Sequence, residues 1–584
     1  MSIHRRLILT ALTISAALAQ GNGIISGVVR DAETGAPLAG VRVSVQGSSQ
    51  KSASTTTDSQ GRYRLGDIPP GQVGLSAGAH PETAYHAGQR TVTLAAGQEL
   101  HSIDIPMRGV GRVSGRIADD EGKPVTRVEV AVVRGEYSMG ALRYRAEYGT
   151  LSDQEGNYGG PSGLLVYSLL GVSSEDQVSS GLTTSLDELA ALAVDFHGTG
   201  RAVPAGIPLE AGRGHLLVAH RERPTMAAPT DAPVDPKQRK TVLASSWYPG
   251  SGSLEGAIPL TLGAGENREQ VNFRLDRVPA YCIQGTAPAT GPEKRALGIV
   301  LSDRRLPGGP GSFHLMMRAP DGAPGHDSRI RICNVPPGDY LLSSFVQVQG
   351  AGLPVAYSTA TVTIKDDDIR DLALATQPRM AVAGEVVWDN ASPDPPVAAS
   401  LTIRLRPLAR EPFKDESAGA KVAVPGRFAL ENLLADEYAL DFAGVPAGAY
   451  VKEATYGGAS VLHTPLPAGS ANLRITLARD GGRVVARVAD ADGNPVSGAV
   501  AVVSLASVTS EAAFADSMIT GRTDASGAWT SGLLAPGKYS VTATLAQVDR
   551  SPECIGRLYH ARGKAEEAEI GAGATVSVNV AAIQ

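Results

Sequence analysis

The sequence predicts an all-β protein in which several small sandwich modules follow one another. Short stretches alternate apolar and polar residues, turn residues separate these stretches, and one arrangement of turns recurs along the 584 residues. The chain contains 67 glycines and 38 prolines, which is above average usage and typical of a protein with many tight turns. A length prior of about 150 residues per domain gives roughly four domains.

The recurring arrangement has two parts, each built around a turn. In its first copy a strand at 27–31 precedes a turn with Gly35 and Pro37, and a Thr-Asp-x-x-Gly turn at 57–61 precedes Tyr63. Aspartate can accept backbone hydrogen bonds within a turn and glycine tolerates positive φ. The repeated positions therefore indicate bent backbone and no reactivity. Close versions return at 115–128 with 152–158, and at 486–500 with 523–539.

The repetition divides the chain into a leader and five modules. The first and fifth modules carry the whole arrangement, the second carries it as far as Tyr158, and the third and fourth carry its second half. The predicted aromatic core positions are Tyr63, Tyr158, Phe428 and Trp529. The predicted bounds are 1–19 for the leader, then module 1 (23–108), module 2 (109–278), module 3 (279–377), module 4 (378–477) and module 5 (478–584).

Module 2 includes a stretch, 159–240, in which the arrangement stops. From Ser185 the apolar residues have helical spacing, with Glu188 three residues on as in a capping box. This stretch is predicted to be an irregular insertion, either a docking segment or a poorly constrained loop.

The N-terminus predicts an export signal at 1–19. Basic residues at 4–6 precede an apolar stretch at 7–19, and Ala17-Leu-Ala19 has the small residues of a cleavage site. Thirteen residues are fewer than the ~20 needed to span a bilayer. The expectation is an exported protein, periplasmic, at the cell surface or secreted, with no membrane span after signal cleavage.

Three cysteines are too few for a disulfide scaffold. Cys282 and Cys333 lie in one module, and the sequence leaves open whether they pair or remain buried thiols. Cys554 has no evident partner.

Charge and motifs argue against several functions. The net charge of −6 and the lack of a dense basic block with aromatics argue against nucleic acid as a partner. The sequence has no H-E-x-x-H, G-x-S-x-G, Walker or dinucleotide motif, so we predict no enzyme, no catalytic residue, no cofactor and no metal site. His215 and His220 are predicted to be solvated loop residues. The loop at Asp490 lacks the ligand count that calcium requires, which favours a plain turn, although the sequence does not decide whether calcium binds.

Trp247 and Tyr248, before Pro249-Gly250, are the candidate ligand-binding residues. Aromatic side chains in a loop can stack on sugar rings, and the alternative is that they pack within the loop.

The combination G-x-[VI]-x-D-x-x-G-x-P, T-D-x-x-G-x-[YW] and [LIV]-x-P-G-x-Y resembles the carboxypeptidase regulatory-like domain of exported bacterial proteins. The resemblance implies tandem Ig-like, transthyretin-like (prealbumin-like) β-sandwich modules, a fold grouped with carbohydrate-binding-like sandwiches. Its motif positions are turn and core residues, so they indicate the fold and say little about activity.

These observations predict a non-catalytic, exported, multi-module binding or scaffolding protein of the cell envelope, with a carbohydrate or another envelope protein as partner. One alternative is an N-terminal-type portion or relative of a TonB-dependent outer-membrane receptor. A further alternative is an uncharacterised hydrolase housed in 159–240.

Overall fold

The computed structural model describes the ranges 22–46, 53–78, 85, 88–159, 164–166, 206–230, 236–287, 295–318, 329–348, 356–377, 379–389, 399–408, 418–490 and 492–583. The predicted leader at 1–19 and the predicted helix from Ser185 lie outside these residues. Internal contacts divide the chain into two compact units, Met1–Arg108 and Gly109–Gln584. Sheets dominate both units, so the predicted all-β fold is confirmed.

Module 1 is a sandwich of two sheets, ordered β4-β1-β7 with β8 also on β1, and β3-β2-β5-β6. Strand β4 shows why it forms: Tyr63, Leu65 and Ile68 point into the core while their neighbours face solvent. The strands are β1 (Gly23–Asp31), β2 (Arg42–Gln46), β3 (Ser54–Thr56), β4 (Arg62–Ile68), β5 (Gly71–Gly78), β6 (Gly88–Leu94), β7 (Glu99–Leu100) and β8 (Ile105–Met107).

Module 2 has a large sheet ordered β14-β12-β11-β16-β19 that faces shorter ones. Its strands are β9 (Val110–Val113), β10 (Gly115–Asp119), β11 (Glu129–Ser138), β12 (Ala141–Leu151), β13 (Asn157–Tyr158), β14 (Leu164–Val166), β15 (Ile207–Glu210), β16 (Leu216–His220), β17 (Thr225–Met226), β18 (Thr241–Leu243), β19 (Ser246–Trp247), β20 (Asn267–Arg268), β21 (Phe273–Leu275) and β22 (Arg277–Pro279). Short 3-10 turns occur at Pro236–Gln238 and Leu254–Gly256.

The stretch predicted to be an irregular insertion contains three strands of this sandwich, β14, β15 and β16. Strand β15 pairs with β9, and β16 lies between β11 and β19 with every residue buried. A strand buried on both faces loses the period-two alternation that identifies strands in a sequence, so the regularity of β16 was not visible there.

Module 3 pairs a sheet ordered β17-β26-β23-β29 with one ordered β25-β24-β27-β28. Strand β17 comes from the preceding module, and Thr225 pairs with Cys333. A disulfide joins Cys282 on β23 to Cys333 on β26, which decides the alternative that the sequence left open. The strands are β23 (Tyr281–Thr286), β24 (Arg295–Asp303), β25 (Phe313–Arg318), β26 (Arg329–Val335), β27 (Gly338–Val348), β28 (Ala356–Ile364) and β29 (Ile369–Ala373).

Module 4 consists of sheets ordered β33-β30-β38-β35-β36 and β32-β31-β34-β37, which enclose one apolar core. Its strands are β30 (Met380–Trp388), β31 (Ser400–Pro407), β32 (Ala418–Ala423), β33 (Gly426–Leu433), β34 (Glu437–Ala443), β35 (Tyr450–Tyr456), β36 (Ala459–Ser460), β37 (Leu466–Pro467) and β38 (Leu473–Ala478).

Module 5 adds two short helices to its sheet. Ser510 and Ser551 are their N-caps, and each side chain accepts a hydrogen bond from a backbone N–H in the first turn. Pro552 opens the second helix at a position that suits proline. The elements are β39 (Arg483–Ala489), β40 (Val500–Leu505), α1 (Glu511–Ser517), β41 (Ile519–Arg522), β42 (Ala528–Thr530), β43 (Gly537–Thr544), α2 (Pro552–Ala561), a 3-10 turn (Arg562–Lys564), β44 (Glu566–Ile570) and β45 (Thr575–Ile583).

Candidate functional site

The aspartates of the repeated turns bind their own backbone. Asp119 accepts hydrogen bonds from the N–H groups of Glu121 and Lys123, at 3.0 and 2.9 Å. Asp490 accepts from Asp492 and Asn494, and the Asn494 N–H holds the pKa of Asp490 below its ordinary value. These donors occupy carboxylate oxygens that a cation would need, so the geometry favours the plain turn at Asp490.

The second repeated turn has a threonine or serine directly before its aspartate, and the hydroxyl of this residue accepts one hydrogen bond from the backbone and donates another. Thr57 Oγ1 accepts from the Val41 N–H at 2.9 Å and donates to the Leu38 carbonyl at 2.8 Å. Ser152 makes the equivalent pair of bonds to Val128 and Val125. The hydroxyl thus ties the second turn to the strand that follows the first turn, and the repeated motif is explained without a ligand.

The sequence predicts that the candidate ligand residues Trp247 and Tyr248 lie in a loop, whereas the structure places Trp247 on a strand. Trp247 ends β19 and is only 5% exposed, packed in a cluster with Val133, Leu216 and Leu306. Tyr248 follows it, half-buried, with its ring edge-on to Phe273. A role for these two residues in ligand binding stays a prediction, and the packing of Trp247 means that any such role falls mainly to Tyr248.

A group of buried polar side chains lies on the same sheet as Trp247. The His220 Nδ1 atom is 2.7 Å from Ser245 Oγ, and Glu129 is the neighbour of His220 across the β11–β16 pair. Burial raises the pKa of Glu129 to about 7, and Arg223, 3.8 Å away, only partly offsets this. Burial lowers the pKa of His220 to about 4, so its imidazole is neutral at pH 7. Sequence reasoning missed this group because it is made by strand pairing across about 90 residues.

His215 and His220 do not share one site, although only four residues separate them in the chain. The side chain of His215 is buried, its Nδ1 atom is 3.1 Å from the Arg213 carbonyl oxygen, and burial lowers its pKa to about 4. The expectation of solvated loop histidines was therefore wrong. Within the described residues, no three His, Cys, Asp or Glu side chains are grouped so that they could hold a metal ion.

A cleft of about 310 Å³ opens beside the first turn of module 2. Arg277 donates to Asp119 at 2.7 Å and to Asp120 at 3.3 Å on one side, and Arg221 binds the Thr126 carbonyl on the other. Arg221 also pairs with Glu222 at 3.1 Å, so the charged groups of the walls are already paired with one another. The cleft can accept a small polar molecule, but its side chains are not arranged as a nucleophile with its base.

The part of the chain that the structure describes has no helix long and apolar enough to cross a membrane.

Residues 24–108 match the sequence model of the carboxypeptidase regulatory-like domain. Module 1 is therefore similar to the carboxypeptidase regulatory-like domain, and the resemblance predicted from its motifs is confirmed there. No curated protein matches the chain.

Several solved structures resemble the fold. The Bacillus anthracis TIE protein is 11% identical with a TM-score of 0.15, and the match covers 81% of this chain and 74% of that one. BcpA, the major pilin subunit of Bacillus cereus, is 10% identical with a TM-score of 0.13, covering 61% and 99%. The pilus adhesin SpaC from Lactobacillus rhamnosus GG is 10% identical with a TM-score of 0.15, covering 44% and 34%.

Proposed function

We propose that this chain is a non-catalytic, exported scaffolding or binding protein of the cell envelope. The observation that carries the proposal is the way modules 2 to 5 contact one another through specific side chains. Arg239 of module 2 binds Asp368 of module 3 at 2.8 Å and lies over the Tyr281 ring at 4.4 Å. Leu434 of module 4 packs on the module 3 cluster that contains Phe345.

The last junction of the series is made in the same way. The Tyr450 hydroxyl of module 4 donates to Asp480 of module 5 at 2.9 Å. Buried or half-buried contacts at each junction hold sandwiches in fixed relation, which suits a protein that presents surfaces and less well one whose modules move independently. The polar motif residues support the same conclusion, because their hydrogen-bonding capacity is used within the turns.

The proposal has two parts, export and binding, and each is tested by its own experiment. Export is tested by fractionating cells that produce the full chain beside a variant lacking residues 1–19. The full chain should reach the envelope or the medium and the shortened variant should stay in the cytoplasm. Equal retention of both in the cytoplasm would refute export, and recovery of the full chain in the outer membrane would favour the receptor-related alternative.

The binding part is tested with the purified, processed protein. It should co-sediment with isolated cell envelopes and should leave a broad panel of ester, peptide and glycoside substrates intact. Turnover of any of these substrates, abolished by a point substitution, would refute the non-catalytic assignment. Failure to co-sediment at any salt concentration would refute the envelope partner.

Carbohydrate is the ligand class that we propose for the Trp247–Tyr248 site, and Tyr248 gives its cleanest test. Tyr248→Ala should abolish binding on a glycan array if the ring stacks on a sugar. Tyr144→Ala is the matched control, since Tyr144 is a half-buried aromatic residue of the same module. Unchanged glycan binding by Tyr248→Ala would remove the site.

A further inference from the structure

Module 2 reaches module 5 through the long β-hairpin formed by β11 and β12. These strands have ten and eleven residues, and a two-residue turn at Met139-Gly140 joins them. Both turn residues have positive φ, 50° and 78°, as in the type I′ turns that favour tight hairpins. This turn directs its backbone N–H groups toward module 5.

The turn is held by one buried carboxylate. Asp516, near the end of α1, accepts hydrogen bonds from the Met139 N–H at 3.2 Å and from the Gly140 N–H at 2.5 Å. Its side chain is 4% exposed and also binds the Arg550 guanidinium at 2.8 Å. A buried carboxylate needs hydrogen-bond donors around it, and the hairpin tip supplies two of the donors that surround Asp516 inside the junction.

Tyr137, on β11 two residues before the hairpin turn, makes a second attachment to module 5. Its backbone N–H donates to the Arg550 carbonyl at 2.9 Å, and its hydroxyl donates to Glu511 at 2.6 Å. Its ring packs on the apolar cluster between the two helices, which includes Phe514 and Ile555. The two helices, which the other modules lack among the described residues, thus provide the surface on which the hairpin docks.

A network of ion pairs fixes the base of the hairpin. Arg213 of module 2, whose side chain is 5% exposed, binds Glu210 at 2.7 Å and also binds Asp549 of module 5. Arg134 on β11 lies 3.3 Å from Glu147 and 3.9 Å from the same Asp549. Two carboxylates of module 5, Asp516 and Asp549, therefore receive most of the donors that module 2 offers.

We propose that these contacts form a clasp. Its module 2 side is the β11–β12 hairpin with Arg213, and its module 5 side consists of Asp516, Asp549 and Glu511. The clasp connects the first and last modules of the second unit directly, so modules 3 and 4 form a closed loop between them. It opens before any sandwich unfolds, because charged and hydrogen-bonding groups hold it together with the one apolar contact of the Tyr137 ring, whereas each sandwich is held by a large apolar core. Opening lets the unit lengthen without the loss of a module, whatever partner the protein binds.

High salt opens the clasp in this proposal. At 1 M ionic strength the Debye length is about 3 Å, against about 10 Å at 0.1 M. The charges that opening exposes to solvent are therefore screened more strongly at 1 M, which lowers the free energy of the open form. The apolar cores of the sandwiches gain no such advantage from unfolding in salt.

The experiment measures one distance in the full chain by pulsed electron spin resonance. Spin labels are placed on cysteines introduced at Glu155 in module 2 and Ala525 in module 5, both on exposed turns. The native cysteines do not interfere, because Cys554 is buried and the other two are joined. We expect a single narrow distance distribution at 0.1 M NaCl and a longer, broader one at 1 M NaCl.

Charge removal provides the second arm. The double variant Asp516→Asn with Asp549→Asn should give the long, broad distribution already at 0.1 M NaCl, with an unchanged circular dichroism spectrum. Glu385→Gln is the matched control, because it removes a carboxylate that binds Arg474 at 2.6 Å within module 4. The control should keep the narrow distribution.

Two results would overturn the proposal. One is a folded double variant whose distance distribution equals that of the unmodified chain. The other is an unmodified chain whose distribution is the same at both salt concentrations, and this arm decides the question even where the double variant does not fold.

Discussion

The Tyr158 hydroxyl donates a hydrogen bond to the backbone carbonyl of Val271, at 2.5 Å. The same carbonyl oxygen lies 2.2 Å from where a β-carbon on Gly115 would stand. The close approach of this one carbonyl therefore explains both the glycine on the strand and the tyrosine of the motif. Module 1 repeats the arrangement with Tyr63 and Gly27 around Ile103. Two motif positions about 40 residues apart are thus explained by a single contact with the segment that leads into the last strand on this edge, β21 in module 2 and β8 in module 1.

Tyr158→Phe should destabilise module 2 by about 1–3 kcal/mol, because a buried carbonyl loses its donor. Hydrogen exchange measured by mass spectrometry on β10 and β21 should report faster exchange there and unchanged rates in module 5. Tyr559→Phe, on α2, is the control for removing a tyrosine hydroxyl elsewhere. Equal exchange in the variant and the parent would show that the bond contributes nothing.

Gly115→Ala should lower the free energy of unfolding of module 2 by about 1–3 kcal/mol or more, because the added methyl group meets backbone atoms. That backbone cannot move away without separating β10 from β21. Gly532→Ala is the matched control, because no atom lies within 4 Å of a β-carbon there. Its effect should stay within about 0.5 kcal/mol. Calorimetric unfolding of the full chain compares the two, and similar melting temperatures for both would contradict the steric argument.

Glu129→Gln should make module 2 more stable at pH 8 and leave it nearly unchanged at pH 4. The folded pKa of Glu129, about 7, exceeds the ordinary value of 4.5, so the folded state binds the proton more tightly. The associated stability is fully present below pH 4.5 and is lost as the pH rises to about 7, an effect of about 3 kcal/mol.

Calorimetric melting of the parent and Glu129→Gln from pH 4 to pH 8 measures this difference. Glu136→Gln, on the same strand but less buried, is the control. A parent and a Glu129→Gln variant whose melting temperatures run parallel over the whole range would show that Glu129 is ionised at no cost.

Breaking the disulfide by replacing Cys282 and Cys333 with serine should destabilise module 3. The bond encloses a separation of 51 residues, for which the chain-entropy relation gives about 4 kcal/mol. Dithiothreitol should lower the melting temperature of the parent to that of the double variant. It should leave the double variant itself unaffected, and a parent insensitive to reduction would contradict the prediction.

Several features could be predicted from the sequence because they are local. The Asp and Gly turns and the inward alternation of β4 depend on residues within a few positions of one another. Tyr63 and Tyr158 are buried as predicted, whereas Phe428 and Trp529 are half-buried and pack against the cores of their modules.

Other features have weaker local signals in the sequence. Ser551, followed by Pro552 and Glu553, has the residues of a helix start, and Ser510 with Glu511 has part of one. The helices are short, and the strand pattern of module 5 on both sides of them is the stronger signal. The burial of Trp247 had no local signal, since a loop aromatic and a strand aromatic before Pro-Gly look alike in sequence.

The sequence by itself determined the kind of module, the recurring turns and the residues that bend the chain, because turn chemistry and strand alternation act between near neighbours. Only the tertiary structure decided why Gly115 cannot carry a side chain, that Cys282 meets Cys333, that Glu129 is buried beside His220, and that module 2 closes on module 5. Each of these depends on which strands and modules meet, and such meetings are set by the burial of surfaces far apart in the chain.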